Sequence, residues 1–196
     1  MSQMYYEENP TSQHDRHELH VELLGQPMQF ITDAGVFSKS MVDYGSRVLL
    51  STLAFDKGQR ILDVGCGYGA LGLTLAKSQE ILVTMVDINQ RAIDLTKENA
   101  QKNHIKADIF QSNLYDKVEG HFEAIISNPP IRAGKKVVHE IIEKAPQHLD
   151  VGGSLTLVIQ KKQGAPSAKQ KMEEIFGQCD ILKKDKGYYI LRSVME

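Results

Sequence analysis

Residues 60–87 read RILDVGCGYGALGLTLAKSQEILVTMVD, and they hold one complete repeating unit of the fold. RILDV is a short apolar run with branched residues, the pattern of a strand buried on both faces. Gly65, Gly67 and Gly69 follow at once, so the backbone turns sharply, and ALGLTLAKS then carries a helical pattern. ILVTMVD closes the unit as a second buried strand ending at Asp87. A strand, a glycine turn, a helix and a second strand form a parallel crossover, and ligands bind such units at the carboxyl ends of the strands.

Working outward, the same alternation continues downstream through NQRAIDLTKENAQKN, KADIFQS, FEAIISN, KKVVHEIIEKAPQHL, GGSLTLVIQ and SAKQKMEEIFGQ. CDILKKD and GYYILRSVM meet at Lys186 and Gly187, which predicts a closing hairpin that puts an antiparallel strand into the sheet. Upstream, residues 17–35 alternate as two strands joined at Gly25-Gln26-Pro27, and residues 43–54 form an amphipathic helix capped by Asp43. The expected fold is α/β: a Rossmann-like, doubly wound, mostly parallel seven-stranded sheet with an antiparallel edge, preceded by a β-hairpin and helix. Residues 1–16 are expected as a flexible arm and 17–196 as one domain, with 17–58 the hairpin and helix and 59–196 the core.

Composition narrows the function classes. The chain has 196 residues, of which 41% are hydrophobic and 24% charged, as in globular domains. Apolar runs such as ILVTMV are far short of the ~20 residues that span a bilayer, and the polar start MSQMYYEENP does not read as a signal peptide, so no membrane association and a cytoplasmic location are expected. Cys66 and Cys179 exclude a disulfide scaffold or a cysteine-only zinc site and read as two free thiols. The seven histidines show no ligand spacing, and no metal is expected. Net charge is −2, but residues 1–130 hold 11 Lys+Arg against 17 Asp+Glu while residues 131–196 hold 12 against 8. Solvated lysines explain that asymmetry as well as a nucleic-acid footprint does.

The glycine loop reads as a nucleotide-cofactor site. Gly67-Tyr-Gly69-Ala-Leu-Gly72 also satisfies the dinucleotide pattern GxGxxG, but it starts two residues after the turn has begun. Asp63 argues the same way, since a carboxylate on the end of the strand repels a pyrophosphate and suits a cationic head group. Asp87 is placed to accept hydrogen bonds from two ribose hydroxyls; as a helix cap it competes with Asn89, which would cap better. Ser112 and Asn113 end the next strand and could meet the rim of an adenine, though Asn113 also reads as a turn residue. Asn128-Pro129-Pro130 ends the strand after that, and two prolines break the chain outward at the same sheet edge.

DVGCGYG, Asp87 and SNPPI in this order resemble a class I S-adenosylmethionine-dependent methyltransferase, with NPP the signature of those that methylate a nitrogen of a planar amine or amide. FITDAGVFSKSMVDYGSRVLL and SNPPIRAGK are more closely similar to the small-subunit ribosomal RNA guanine-N2 methyltransferase type C family, the small methyltransferase domain group. The resemblance covers about residues 20–194 and implies S-adenosyl-L-methionine as cofactor. It implies Asp63, Gly65, Gly67 and Gly69 around the methionine part, Asp87 at the ribose and Asn113 at the adenine, with Cys66, Ile88, Phe37 and Asn128 also among the cofactor contacts. Gly35, Val36, Phe37 and Asp43 look like the segment that folds over the cofactor, although Phe37 reads equally as a core aromatic. The catalytic element is Asn128, Pro129 and Pro130, and Ile131, Arg132 and Lys135, with Lys136 beside them, would meet the substrate.

The chemistry explains the motif independently. An exocyclic amine on a ring is a poor nucleophile because its lone pair is delocalised, and two acceptors on its hydrogens would turn that lone pair toward a methyl donor. The resemblance points to a guanine amine in 16S ribosomal RNA, with ribosomal RNA or the small subunit as partner. A protein glutamine amide, another RNA base and a small molecule remain as alternatives, and an oxidoreductase or an inactive binding module stands as a different class. Ile131 departs from the aromatic residue many relatives carry after NPP, and the additional front domain of the full-length type C enzymes is absent from this sequence. Both departures bear on substrate recognition.

Overall fold

The computed structural model describes residues 6–196. A two-stranded antiparallel hairpin, β1 (His17–Leu23) and β2 (Gln26–Thr32), and helix α1 (Tyr44–Leu50) precede the main body. The body comprises β3 (Arg60–Val64), α2 (Ala70–Gln79), β4 (Leu82–Asp87), α3 (Gln90–Lys102), β5 (Asp108–Gln111), β6 (Phe122–Ser127), α4 (Lys135–Lys144), β7 (Leu149–Gln160), α5 (Ala165–Phe176), β8 (Asp180–Asp185) and β9 (Tyr188–Val194). Its seven strands lie in the order β5-β4-β3-β6-β7-β9-β8. The order reverses between β3 and β6, which opens a crevice at the carboxyl edge.

The central strands are apolar along nearly their whole length because both faces are covered. One core joins α1, α2, α3 and the hairpin to the sheet through residues such as Leu49, Leu73, Ile93 and Phe30. The other joins α4 and α5 through Ile141, Ile142 and Met172. The hairpin is attached by side chains that imitate a strand. Asn99 on α3 accepts from Ile31 N and donates to Ile31 O (2.6 and 3.0 Å), and Asn103 does the same for Gln29 (3.0 and 2.7 Å). The outer edge of β2 thus has its backbone groups satisfied without a third strand.

Several expectations are corrected. β9 is the antiparallel strand, but it lies between β7 and β8, so the sheet edge is β8, which runs parallel to the body. The hairpin turn after β1 is at Leu24-Gly25, both with positive φ, which leaves Gln26 and Pro27 in the ladder. Helix α1 stops at Leu50 rather than running to residue 54, and α4 stops at Lys144 before a short 3₁₀ turn that contains Pro146. The described part of the expected arm, residues 6–16, is fastened to the body. Arg91 donates to Pro10 O and to both Ser12 oxygens, Gln90 N donates to Glu8 O, and His14 and Asp15 N bond to the Asp33 carboxylate. Residues 1–5 lie outside the described residues. Among the described residues no helix is long and apolar enough to cross a membrane.

Candidate active site at the carboxyl edge

A cavity of about 460 Å³ opens at the carboxyl edge between the glycine loop, β4, the Asn128 turn and the start of α1. Its size is in the range of about 300–1,000 Å³ that small-molecule sites occupy. The floor is the loop after β3. Gly65 N and Cys66 N both donate to Val86 O at 2.9 Å, which pins the loop to β4. Gly69 has φ +98°, and a Cβ there would stand 2.8 Å from Leu73 Cδ1, so the loop can enter α2 only with glycine. At Gly67, φ +58°, a Cβ would meet nothing within 4 Å, which leaves that backbone open to the cavity.

Asp87 closes one end. Its two carboxylate oxygens accept from Gly67 N (2.8 Å) and Asn89 N (2.9 Å), and burial pushes its carboxyl up to about 6. Asn89, as anticipated, is the residue that caps α3, by accepting from Ala92 N. Asp87 is therefore not used as a cap, and each of its oxygens keeps a lone pair for a further donor. Ile88 and Asn113 also line the cavity, and Ser112 holds the turn by donating to Leu114 O and accepting from Lys117 N.

Asp63 lies elsewhere than the sequence suggests. It is fully buried beneath the loop, outside the cavity wall, where Oδ2 accepts from Gly72 N at 3.1 Å and Oδ1 has no hydrogen-bond partner among the described residues. Burial, together with the nearby Asp87 charge, pushes its carboxyl up to about 7. Cys66 lines the wall as a buried free thiol that burial holds well above the usual thiol range, so it is no nucleophile at neutral pH. Gly69 is likewise outside the wall, at the helix entry.

The opposite end is built on Asn128. Its Nδ2 donates to Asp43 Oδ2 (2.9 Å) and Ser46 Oγ (3.0 Å), two neighbouring groups of the same wall, so both amide hydrogens are taken by the protein. A carboxylate only accepts, so Asp43 sets which end of the amide it meets, and Oδ1 is the end that neither Asp43 nor Ser46 holds. The same Asp43 oxygen accepts from Ser46 N (3.1 Å) and caps α1. Pro129 is buried, and Pro130, Ile131 and Arg132 continue the wall. Lys135 is not on it; it lines a separate recess of about 80 Å³ with His139. Lys136 is exposed on the same helix. Val36 and Phe37 form the roof, with Phe37 40% exposed, and Asn89 Nδ2 holds Gly35 O at 2.8 Å beneath them.

Three contributors were invisible in the sequence pattern. Ser46, Tyr188 and, from the N-terminal segment, Tyr6 line the wall. Only the Asp43-Tyr-Gly45-Ser46 run carried a signal, a capping aspartate three residues before a serine, but the link to Asn128 spans more than eighty residues of sequence. Among the described residues no group of three or more His, Cys, Asp or Glu could hold a metal ion.

The methyltransferase small domain family model matches residues 27–192. The uncharacterized protein YbxB of Bacillus subtilis (strain 168) is 46% identical over 98% of both chains. The ribosomal RNA small subunit methyltransferase C of Erwinia tasmaniensis is 36% identical over 82% of this chain and 47% of its own. Among solved structures, a T. thermophilus 16S rRNA N2 methyltransferase (RsmC) in complex with AdoMet and guanosine matches with a TM-score of 0.86 and 27% identity, covering 95% of this chain and 52% of that one. The chain spans about half the length of these ribosomal RNA methyltransferases. A methyltransferase from Pyrococcus furiosus, 24% identical with a TM-score of 0.71 over 80% of this chain and 85% of that one, shares the fold.

Proposed function

The chain belongs to the methyltransferase small domain family, and from that premise we propose that it transfers a methyl group from S-adenosylmethionine to the exocyclic N2 amine of a guanine in small-subunit ribosomal RNA. The residues fit the cofactor. Asp87 offers acceptor lone pairs at one end of a cavity of nucleoside size, the glycine loop leaves its backbone open along the floor, and Phe37 with Val36 covers the top. Bound there, S-adenosylmethionine supplies an electrophilic methyl on a sulfonium.

The orientation of the Asn128 amide is the observation that carries the reading. With both Nδ2 hydrogens held by Asp43 and Ser46, Oδ1 is a fixed acceptor for one hydrogen of a planar amine. The Pro129 carbonyl is the second acceptor in this reading. Holding both hydrogens keeps the ring amine with its lone pair directed across the cavity toward the glycine loop, and catalysis is then mainly positioning. Arg132 on the rim and Lys136 beyond it would contact the RNA backbone. The amine proton released after transfer passes to solvent at the cavity mouth, because the Asn128 amide is neutral and does not take it up.

The test is methyl transfer from radiolabelled S-adenosylmethionine to small subunits and their RNA from a strain lacking the protein, followed by nucleoside analysis. Labelled N2-methylguanosine is the expected product. Label in protein or in another nucleoside would replace the substrate while leaving the family and cofactor in place.

A further inference from the structure

We propose that the RNA strand leaving the cavity runs over a basic and aromatic ribbon formed by α1 and the β8–β9 hairpin, with Arg47, Lys183 and Lys186 holding its phosphates and Tyr44 and Tyr188 offering ring faces to its bases. The inference rests on the reading of the Asn128 cavity as an RNA amine site. Tyr188 begins the ribbon, because it is part of the cavity wall and packs so closely that a Cβ on Gly45 would stand 2.7 Å from its ring. The Tyr44 ring follows 5.7 Å beyond it, and Lys186 Nζ lies 4.8 Å over Tyr44. Tyr44, Arg47 and Ser51 fall at helical spacing along one side of α1, and Lys183 Nζ reaches Ser51 Oγ at 3.1 Å. Aromatic rings and cations thus run side by side from the cavity mouth, the pairing that single-stranded nucleic acid requires.

Several cations elsewhere are held in ion pairs, although among the described residues Lys97, Lys106 and Lys117 toward the opposite edge are, like those of the ribbon, in none. Lys144, Lys169 and Lys171 on α4 and α5 are each paired with glutamates, and Arg60 at the amino edge is paired with Glu123 and Asp150. Among the described residues no carboxylate forms an ion pair with Arg47, Lys183 or Lys186. Near them Asp43 is turned inward to Asn128 and Ser46, and the hairpin tip carries Lys183, Lys184 and Lys186 against Asp185 alone. Lys161 N donates to Gly187 O at 2.8 Å, which joins the basic turn Lys161–Gln163 to that tip and extends the positive rim.

The experiment compares two triple variants of the full chain for binding to small-subunit ribosomal RNA over a range of salt, with S-adenosylmethionine affinity measured alongside. One is Arg47→Ala, Lys183→Ala, Lys186→Ala; the other removes equal charge toward the opposite edge of the sheet as Lys97→Ala, Lys106→Ala, Lys117→Ala. The ribbon variant is expected to bind RNA about tenfold or more weakly and to lose about two from the log–log salt slope, at roughly 0.7 per single-strand phosphate contact. Its cofactor affinity should be unchanged, the control triple should bind RNA as the wild type does, and Lys183→Arg with Lys186→Arg should retain binding. If the wild type binds and methylates RNA but both triples weaken it equally, or neither does, the ribbon is wrong while the function stands. If the wild type neither binds RNA nor labels it and labels a protein instead, the ribbon falls together with the RNA reading.

Discussion

Asn128 is a neutral amide whose usefulness depends entirely on which of its two ends faces the reactants. Asp43 and Ser46 decide that by taking both hydrogens of Nδ2, which makes Asp43 a positioning residue for Asn128 as well as the cap of α1. Asn128→Ala is expected to lower kcat by roughly 10²-fold, the scale of a misplaced reactant, with cofactor affinity little changed. Asp43→Ala should lower kcat in the same way and also cost about 1 kcal/mol of stability through the lost cap, whereas Asp43→Asn, which can present an oxygen in the same place, should recover much of both. Combining Asn128→Ala with Asp43→Ala should add little to the kcat loss of either alone. Full additivity in steady-state kinetics would show that the two side chains act independently. Asp87 behaves differently, because it faces the opposite end of the cavity: Asp87→Ala should weaken cofactor binding, read by calorimetry, with a smaller effect on the rate at saturating cofactor.

At the scale of elements, α3 is the organiser of the site's walls. Asn89 holds Gly35, Arg91 holds Ala34 and residues 10–12, and Asn99 holds both β2 and the glycine loop through Tyr68 O at 2.8 Å. One helix therefore ties the roof, the N-terminal segment and the floor together, and each tie is a side chain satisfying backbone groups that have no ladder partner. Asn99→Ala would strand Ile31 N, Ile31 O and Tyr68 O in a buried place, at about 1–3 kcal/mol for an unsatisfied group. A loss of about 2–3 kcal/mol in denaturant unfolding is expected, with weaker cofactor binding because the floor is released. A surface-sized effect below about 0.5 kcal/mol would mean that water replaces these bonds.

Considered as a whole molecule, the protein keeps two carboxyl groups at the glycine loop, Asp63 fully buried beneath it and Asp87 partly exposed on the cavity wall. Their carboxyls are pushed up to about 7 and about 6, above the ordinary aspartate value near 3.9. At these two positions the folded chain binds more protons than the unfolded one between about pH 4 and 7, so their contribution to stability falls as pH rises through that window and is level above it. Asp63→Asn should flatten the pH dependence of Tm between pH 4 and 7. Cofactor affinity should move oppositely for Asp87, falling below about pH 6 as the acceptor carboxylate is protonated, and Asp87→Ala should abolish that fall. Cofactor affinity that is constant from pH 5 to 8 would remove Asp87 from the binding role.

Much of the molecule was legible because it rests on local rules. Branched apolar runs, the glycine turn and helical periodicity determined the alternating elements within a few residues, since each depends on neighbours close in sequence. The proline pair after Asn128 likewise marked its own break in the chain, and Asn89 declared itself a better cap than Asp87. Contacts between distant segments had no such local signal and emerge only on folding. Asp63 sits beneath the loop, where it accepts from Gly72 N in the first turn of α2, and Lys135 at the start of α4 lines a second recess. The N-terminal segment is fastened because Arg91 and Asp33 on other elements present groups to it. The Asn128 amide is held in one orientation because an aspartate and a serine more than eighty residues earlier take its hydrogens. Such pairings carry no periodicity, and only the folded chain brings their partners within hydrogen-bond reach.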